Sequence, residues 1–150
     1  MMGEVIKLAS RNAESGGGPF GAVIVKDGRI IAGATNSVTI DNDPTAHAEV
    51  NAIRQACKAL GTFDLSGCSI YTSCEPCPMC LGAIYWAHID RIFYGNTRDD
   101  AADIGFADSS IYGEFGLPKD KRAVPAIPLM RDEALESFRL WSANESRTEY

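Results

Sequence analysis

Five residues in two short stretches could bind and use a metal ion. His47 and Glu49 stand two apart in TAHAEV, and three cysteines follow at C-x-x-C-x-x-C spacing, namely Cys74, Cys77 and Cys80. Thiolates and imidazole nitrogens are the usual protein ligands of zinc, and a carboxylate beside such a site can accept and deliver protons. The two stretches together therefore predict a metal site with acid–base chemistry.

The cysteine spacing alone leaves several interpretations open. An iron–sulfur run would place a fourth cysteine a few residues on, where this chain has apolar residues and a glycine over 81–84. A thioredoxin-like redox pair needs only C-x-x-C and leaves the histidine and the glutamate without a role. A closed structural zinc site would add Cys74 as a ligand, whereas His47, Cys77 and Cys80 alone leave a fourth position open.

Glu49 favours the open, catalytic arrangement. A structural site gives no role to a carboxylate two residues from a ligand, whereas an open site needs a group that moves protons between water and the leaving group. We expect one Zn²⁺ per subunit, held by His47, Cys77 and Cys80, with water or hydroxide as the fourth ligand. Glu49 is then the catalytic proton carrier, and Ala48 leaves room for a flat substrate.

The remaining pattern predicts an α/β protein with one domain. Two β-branched runs flank Asp27-Gly28, which is a strong hairpin signal. The other predicted elements are helices over 4–13 and 45–60, a strand over 68–73, a helix from residue 77, a strand over 91–95, loop or short helices over 98–116, a proline-weakened strand over 123–129 and a closing helix over 131–145. This order indicates a mixed five-stranded sheet with helices on both faces.

The metal site requires two helix N-termini to meet. His47 begins the helix after the hairpin, and Cys77 and Cys80 begin the helix after the next strand. If those two strands are neighbours, both helices start at one edge of the sheet and the three side chains converge. The helix dipole there favours thiolates, and Pro76 suits the position before the helix because it has no N–H to satisfy.

Composition narrows the class of protein and of substrate. The chain has 150 residues, 45% of them apolar, and a net charge of −6. A protein that grips a nucleic-acid backbone usually presents a basic face, so the charge argues against a polynucleotide substrate. An odd count of five cysteines is a poor disulfide framework. No apolar run reaches the length of a bilayer and the start lacks a signal-peptide core, so we expect a cytoplasmic protein with no membrane partner.

The paired motif resembles the signature of zinc nucleobase deaminases, which is H-x-E followed by P-C-x-x-C. Here it stands as HAE and PCPMC, about thirty residues apart. Nearly the whole chain is similar to the cytidine-deaminase-like superfamily. That resemblance implies a three-layer α/β/α sandwich and a single zinc-dependent deaminase domain over residues 1–150.

Longer stretches narrow the resemblance to the bacterial guanine deaminases. They are GGPFGAVIVKDG, NDPTAHAEVNAIRQAC, YTSCEPCPMCLGAIYWA and GFADSSIY. The tRNA adenosine deaminases share PTAHAE but are basic and lack the Tyr85-Trp86 pair. The resemblance implies hydrolytic deamination of guanine at C2 to xanthine and ammonia, in purine catabolism or salvage. Guanosine, another aminopurine or an amino-triazine is an alternative substrate, and a non-catalytic zinc-stabilised binding module is an alternative of another class.

The resemblance also implies roles for the remaining site residues. Glu49 passes protons between water, ring N3 and the departing amine, and Asp108 acts as a second proton carrier that accepts from the N–H-rich edge of guanine. Two other acids, Asp103 and Glu114, lie in the same loop, so the choice of Asp108 rests on the resemblance. The implied substrate-binding residues are Phe20, Asn36, His47, Ala48, Trp86, Phe106 and Tyr150.

Members of this family are similar in forming homodimers that exchange C-terminal segments. The matching end here is RTEY, so the resemblance implies that Tyr150 reaches the neighbouring subunit's site. Two features depart from the family: the N-terminal helix is abbreviated, and His88 stands where related sequences often have a basic residue. Neither feature touches the implied chemistry.

Overall fold

The computed structural model describes residues 1–106 and 108–150. The chain falls into two units, residues 1–110 and 111–150. The single deaminase domain predicted over residues 1–150 stays a prediction.

Four strands of the first unit form the sheet that positions the candidate site. They are β1 (Gly21–Lys26), β2 (Arg29–Thr35), β3 (Cys68–Cys74) and β4 (Arg91–Asn96), in the order β2-β1-β3-β4. Strand β1 is antiparallel to both of its neighbours, and β3 is parallel to β4, so the sheet is mixed as predicted. Asp27 and Gly28 join β1 to β2 with positive φ angles of 49° and 72°, as a tight hairpin turn requires.

Helices precede, separate and follow these strands. They are α1 (Met2–Glu14), α2 (Val38–Asp41), α3 (Ala48–Leu60), α4 (Pro78–Trp86), α5 (Arg98–Asp103), α6 (Ser109–Gly116) and α7 (Arg131–Ala143), with a 3₁₀ turn at Lys119–Lys121. Gly61 ends α3 in the left-handed conformation (φ 67°), where the sequence predicted that end. Over the described residues, no helix is both long enough and apolar enough to cross a membrane.

Helices cover both faces of the sheet, which confirms the predicted three-layer arrangement. Side chains alternate along β1, so Val23 faces α1 and packs with the fully buried Val5. Ala22 and Ile24 point the other way, into a larger cluster with residues of α3 and α4 such as Ala52. Because both faces are covered, β1 is buried along nearly its whole length.

The sheet has four strands in the part of the chain that the structure describes, so the prediction of a fifth strand over residues 123–129 was wrong. Pro125 and Pro128 lack the N–H groups that a strand needs for its ladder. Val124, Ile127 and Leu129 are more than four-fifths exposed, so no buried face orders the segment as a strand.

The strands that lead to the metal site are not neighbours, which corrects a second expectation. Strand β1 lies between β2 and β3 and is antiparallel to each of them. Two strands that are both antiparallel to a third point the same way, so β2 and β3 end at the same edge of the sheet. Helices α3 and α4 therefore still begin at one edge, as the site requires.

Gly21 sets how closely α1 approaches the sheet. A Cβ at this position would lie 2.9 Å from the Val5 carbonyl oxygen and 3.0 Å from the Ala9 nitrogen, both of which are helix backbone. Backbone cannot move aside as a flexible side chain can, so any larger residue pushes α1 away from β1.

We predict that Gly21→Ala lowers the free energy of unfolding by about 1–3 kcal/mol through this overpacking. Gly3→Ala is the matched control. Gly3 lies on α1, the helix that packs against Gly21, and nothing lies within 4 Å of its added Cβ. The control should change stability by less than about 1 kcal/mol, in the stabilising direction. Urea denaturation measures both, and equal stabilities for the two variants would contradict this packing account.

Candidate metal centre

Three predicted ligands converge at the shared edge of the sheet. His47 is the N-cap residue of α3, Cys77 is the N-cap residue of α4, and Cys80 lies in the first turn of α4. The Nδ1 atom of His47 is 3.6 Å from each of the two sulfur atoms, and all three donor atoms lie within 4.8 Å of one another. Tetrahedral zinc with its usual Zn–N and Zn–S bond lengths separates N and S by about 3.6 Å, so the donor set fits zinc.

Hydrogen bonds among the ligands prepare them for a cation. A bond from the Cys80 thiol lowers the pKa of Cys77 to about 4, and the same bond together with burial raises the pKa of Cys80. The pKa of His47 is raised, chiefly by its hydrogen bond with Cys77. The low pKa of Cys77 favours the thiolate form that binds a cation, and a bound cation releases protons from the ligands that still hold them.

Cys74 stands apart from this group. Its thiol donates to the Thr97 carbonyl oxygen at 3.4 Å. Burial, followed by the charge of Glu49, raises the pKa of Cys74 to about 11, so it stays a thiol at neutral pH. Among the described residues the cluster contains three ligands, and a three-ligand zinc site keeps a position for water or substrate. This arrangement supports the open site over the closed structural one.

Glu49 is a buried carboxylate next to a ligand. It is 6% exposed, and burial raises its pKa. Its Oε1 accepts from the Thr72 hydroxyl at 3.0 Å, and its Oε2 lies 3.4 Å from the Cys80 sulfur. When Cys80 binds a cation it loses its proton. Oε2 is then free to accept from another group, while Thr72 continues to hold Oε1.

Several predicted substrate-binding residues gather around the same edge. Phe20 immediately precedes β1, Asn36 immediately follows β2, and Ala48 opens α3 beside His47. Asn36 and Ala48 are buried. The ring of Phe106 packs edge-to-face on Phe20, with centroids 4.8 Å apart. The structure therefore brings Phe20, Asn36, His47, Ala48 and Phe106 to one end of the sheet.

Asp108 brings an acid to this site. Its Oδ1 is buried and has no hydrogen-bond partner among the described residues. Burial, and then the charge of Cys77, raises its pKa. After the hydrogen bond with Cys77, the charge of Asp108 is one of the causes that raise the pKa of His47, so the two side chains are electrostatic neighbours. An unpartnered buried oxygen is costly, which makes it a ready acceptor for a ligand N–H.

Trp86 and Tyr150 are both largely exposed in the part of the chain that the structure describes. Trp86 is the last residue of α4, six residues beyond Cys80, or about 9 Å along the helix axis. Its side chain is 67% exposed. Tyr150 belongs to the second unit and is exposed.

Sequence reasoning missed two polar residues that support the site. Thr72, on β3, holds Glu49, and Asn51, on α3, joins three segments. The Asn51 side-chain nitrogen lies 3.0 Å from the Ser37 hydroxyl and 3.1 Å from the Thr35 carbonyl oxygen, and it also reaches Ala46. Asn51 follows the metal ligand of α3 by one helical turn. That spacing places it on the same side of the helix and could have identified it.

The comparison with protein families decides the class of this site. A model of the cytidine and deoxycytidylate deaminase zinc-binding region matches residues 1–96, which contain all three predicted ligands and Glu49. The chain belongs to this deaminase family. Membership confirms the predicted fold, the zinc-binding character of the site and the enzyme class, a zinc-dependent aminohydrolase.

Individual relatives cover most of the chain. Guanine deaminase from Bacillus subtilis (strain 168) is 53% identical over 97% of this chain and 94% of its own. An X-ray structure of guanine deaminase from Bacillus subtilis has a TM-score of 0.96 at 52% identity, over 99% of this chain and 96% of that one.

More distant family members are also similar. A solved structure of a guanine deaminase from Nitrosomonas europaea has a TM-score of 0.69 at 32% identity, over 95% of this chain and 83% of that one. The tRNA-specific adenosine deaminase of Bacillus subtilis (strain 168) is 45% identical, over 63% of this chain and 58% of its own.

We predict that zinc binding requires Cys77 and does not require Cys74. Cys77→Ser should lose zinc on dialysis against a chelator, because serine replaces a thiolate ligand. Cys74→Ser should keep the wild-type zinc content, because Cys74 only donates to a carbonyl. Metal analysis of the dialysed proteins measures the zinc content. Loss of zinc from Cys74→Ser would contradict the open site and support the closed four-ligand site.

Proposed function

We propose that this protein is a zinc-dependent guanine aminohydrolase that converts guanine and water to xanthine and ammonia. The observation that carries the proposal is Glu49, a buried carboxylate beside a ligand sulfur of a three-ligand centre. Burying a carboxylate is costly, so we expect the buried acid to have a role. A structural zinc site would give it none. Guanine as the substrate is supported by the similarity to guanine deaminases over nearly the whole chain.

Glu49 is the proton carrier in the proposed reaction. Zinc, one per subunit on His47, Cys77 and Cys80 with water in the fourth position, would supply a water that ionises near neutral pH. Glu49 accepts the proton of the water whose oxygen adds to C2, and it passes that proton to ring N3. It then takes the second proton of that water, from the hydroxyl now on C2, and delivers it to the amine as the C2–N bond breaks, which leaves the C2 carbonyl of xanthine and releases ammonia. The raised pKa of Glu49 suits a group that must both accept and give protons.

Asp108 recognises the purine and assists the proton transfers. Its buried, unpartnered oxygen would accept from the N–H-rich edge of guanine. A ring that lacks those N–H groups would leave the oxygen unsatisfied, which gives stronger selection than lost apolar contact does. Phe20, Asn36 and Phe106 complete the slot with an aromatic wall and a buried amide.

The active form is a homodimer that exchanges its C-terminal segments, so that Trp86 and Tyr150 complete the slots. This part of the proposal is supported by the apolar surface of the second unit. Val124, Ile127 and Leu129 are each more than four-fifths exposed, and Phe138 is 71% exposed. Exposed apolar surface of this extent is typical of a face that another chain covers.

The enzyme acts in the cytoplasm on a free purine base and not on a nucleic-acid polymer. The net charge of −6 supports a substrate without a phosphate backbone. All five cysteines are free, as is usual in a reducing compartment.

We predict that Glu49→Gln keeps its zinc and loses activity on guanine by about 10²–10⁴-fold, because the amide cannot carry the proton. Ammonia release from guanine, guanosine, adenine and cytosine measures this, with zinc content as the control for folding. Glu14→Gln, an exposed substitution on α1, is the matched variant and should retain wild-type activity. Wild-type turnover of guanosine without guanine would contradict the proposed substrate, and an active Glu49→Gln would contradict the mechanism.

We predict that segment exchange allows two defective chains to restore each other. One chain carries Glu49→Gln with an intact C-terminus, and the other keeps Glu49 but ends at residue 145. Co-expression should give about a quarter of the wild-type rate, since half of the dimers are mixed and each holds one complete site. Each chain expressed alone is the control. Activity no greater than the sum of the two controls would contradict the exchange.

A further inference from the structure

We propose that Asn12 is a positioning residue for purine binding. It lies on α1, which covers the sheet face opposite to α3, and its side-chain amide fixes the two backbone segments that carry Phe20 and Asn36. This inference rests on the proposed function, in which those two residues contact the purine.

The amide of Asn12 spans two segments that come together only in the fold. Its Nδ2 donates to the Gly18 carbonyl oxygen at 2.7 Å and to the Asn36 carbonyl oxygen at 2.8 Å. A side-chain amide has two N–H groups, so both are used. An oxygen in the same place would face two carbonyl oxygens and repel them.

The glycine-rich stretch SGGGP is shaped around these contacts. A Cβ at Gly17 would lie 2.6 Å from the Asn12 Nδ2, so any larger residue displaces the amide. A Cβ at Gly18 would lie 3.1 Å from the Asn36 Oδ1. Gly16 has a φ of 84°, which brings the chain round after α1. The three glycines therefore give the chain its turn and leave room for two asparagine side chains.

Short hydrogen bonds connect Asn12 to the proposed purine contacts. The Phe20 N–H donates to the Gly18 carbonyl oxygen at 2.8 Å, and the Asn36 N–H donates to the Phe20 carbonyl oxygen at 3.1 Å. Asn12 holds the carbonyl groups of both Gly18 and Asn36, so it closes this chain of contacts. Asn51 holds the residues on either side of Asn36 from the α3 face.

Loss of the Asn12 contacts should weaken binding and leave the chemistry intact. Among the described residues Asn12 makes no hydrogen bond with His47, Cys77 or Glu49, whereas it donates to the carbonyl oxygen of Asn36. Movement of Asn36 and Phe20 costs affinity for the purine, because binding depends on a slot that is already ordered. The zinc site and the proton carrier stay in place.

The test is the steady-state kinetics of Asn12→Asp on guanine. Aspartate keeps the shape and removes both donors, so KM should rise about tenfold or more while kcat stays within about threefold. In the Glu49→Gln background, the Kd for guanine measured by calorimetry should rise by the same factor. Zinc content should equal that of the wild type.

Val5→Ala is the matched control for a merely structural effect. Val5 is fully buried on the same helix and packs on β1, so this variant loosens α1 without touching the loop. It should lower stability and leave KM unchanged. A second variant, Gly18→Ala, displaces the Asn36 amide directly and should raise KM even if Asn12→Asp does not fold.

Two results would overturn the role of Asn12: KM within about twofold of the wild type in Asn12→Asp (or in Gly18→Ala, should Asn12→Asp not fold), or an equal rise of KM in Val5→Ala. Failure of the proposed function is recognised separately. If the wild type deaminates another aminopurine and not guanine, the proposed substrate is wrong, and the same KM comparison on that aminopurine decides the role of Asn12.

Discussion

The site depends on one constraint, which is that two helices must begin at the same edge of the sheet. His47 and Cys77 are both N-cap residues, so their side chains lie where the helices start. The antiparallel pairing of β1 with β2 and with β3 makes these two strands end together, although they are not adjacent. The order of strands thus converts two distant sequence motifs into one group of donor atoms. Positive helix ends at this edge also favour thiolate ligands.

The same edge holds a buried acid, and its partners explain how it is kept there. Thr72 donates to one oxygen of Glu49, and Cys80 lies near the other. Burial raises the pKa of this carboxyl, which brings it toward the range useful for proton transfer. A cation on Cys80 would replace the thiol proton that faces Glu49, whereas the hydrogen bond from Thr72 would remain. Glu49 therefore has one oxygen that Thr72 holds in the buried site. Its other oxygen would become available when the predicted ligands bind a metal ion.

Local features of the site and of the fold could be predicted from the sequence. The H-x-E and C-x-x-C motifs, the Asp27-Gly28 turn and the Gly61 helix end each depend on residues close together in the chain. Strand order could not be predicted, because the insertion of β1 between two other strands is decided by packing over the whole sheet. The fifth strand was predicted from its apolar residues as a strand weakened by prolines, and the missing N–H groups of Pro125 and Pro128 outweigh the apolar pattern.

Supporting residues were missed for a similar reason. Thr72 and Asn12 are unremarkable in sequence, and their importance lies in hydrogen bonds to segments far away in the chain. Trp86 and Tyr150 present the opposite case, since the resemblance implies a role for them and both are exposed. Some residues act through a partner chain or through the backbone of another segment. Their roles depend on contacts that sequence spacing does not show.

X-ray absorption at the zinc edge of the zinc-loaded protein tests the central claim of an open, three-ligand centre most directly. The account predicts two sulfur neighbours at about 2.3 Å, with the remaining scatterers light atoms at about 2.0 Å. The same spectrum should be given by Cys74→Ser. Three sulfur neighbours in the wild type, reduced to two in Cys74→Ser, would show a closed structural site and contradict the account.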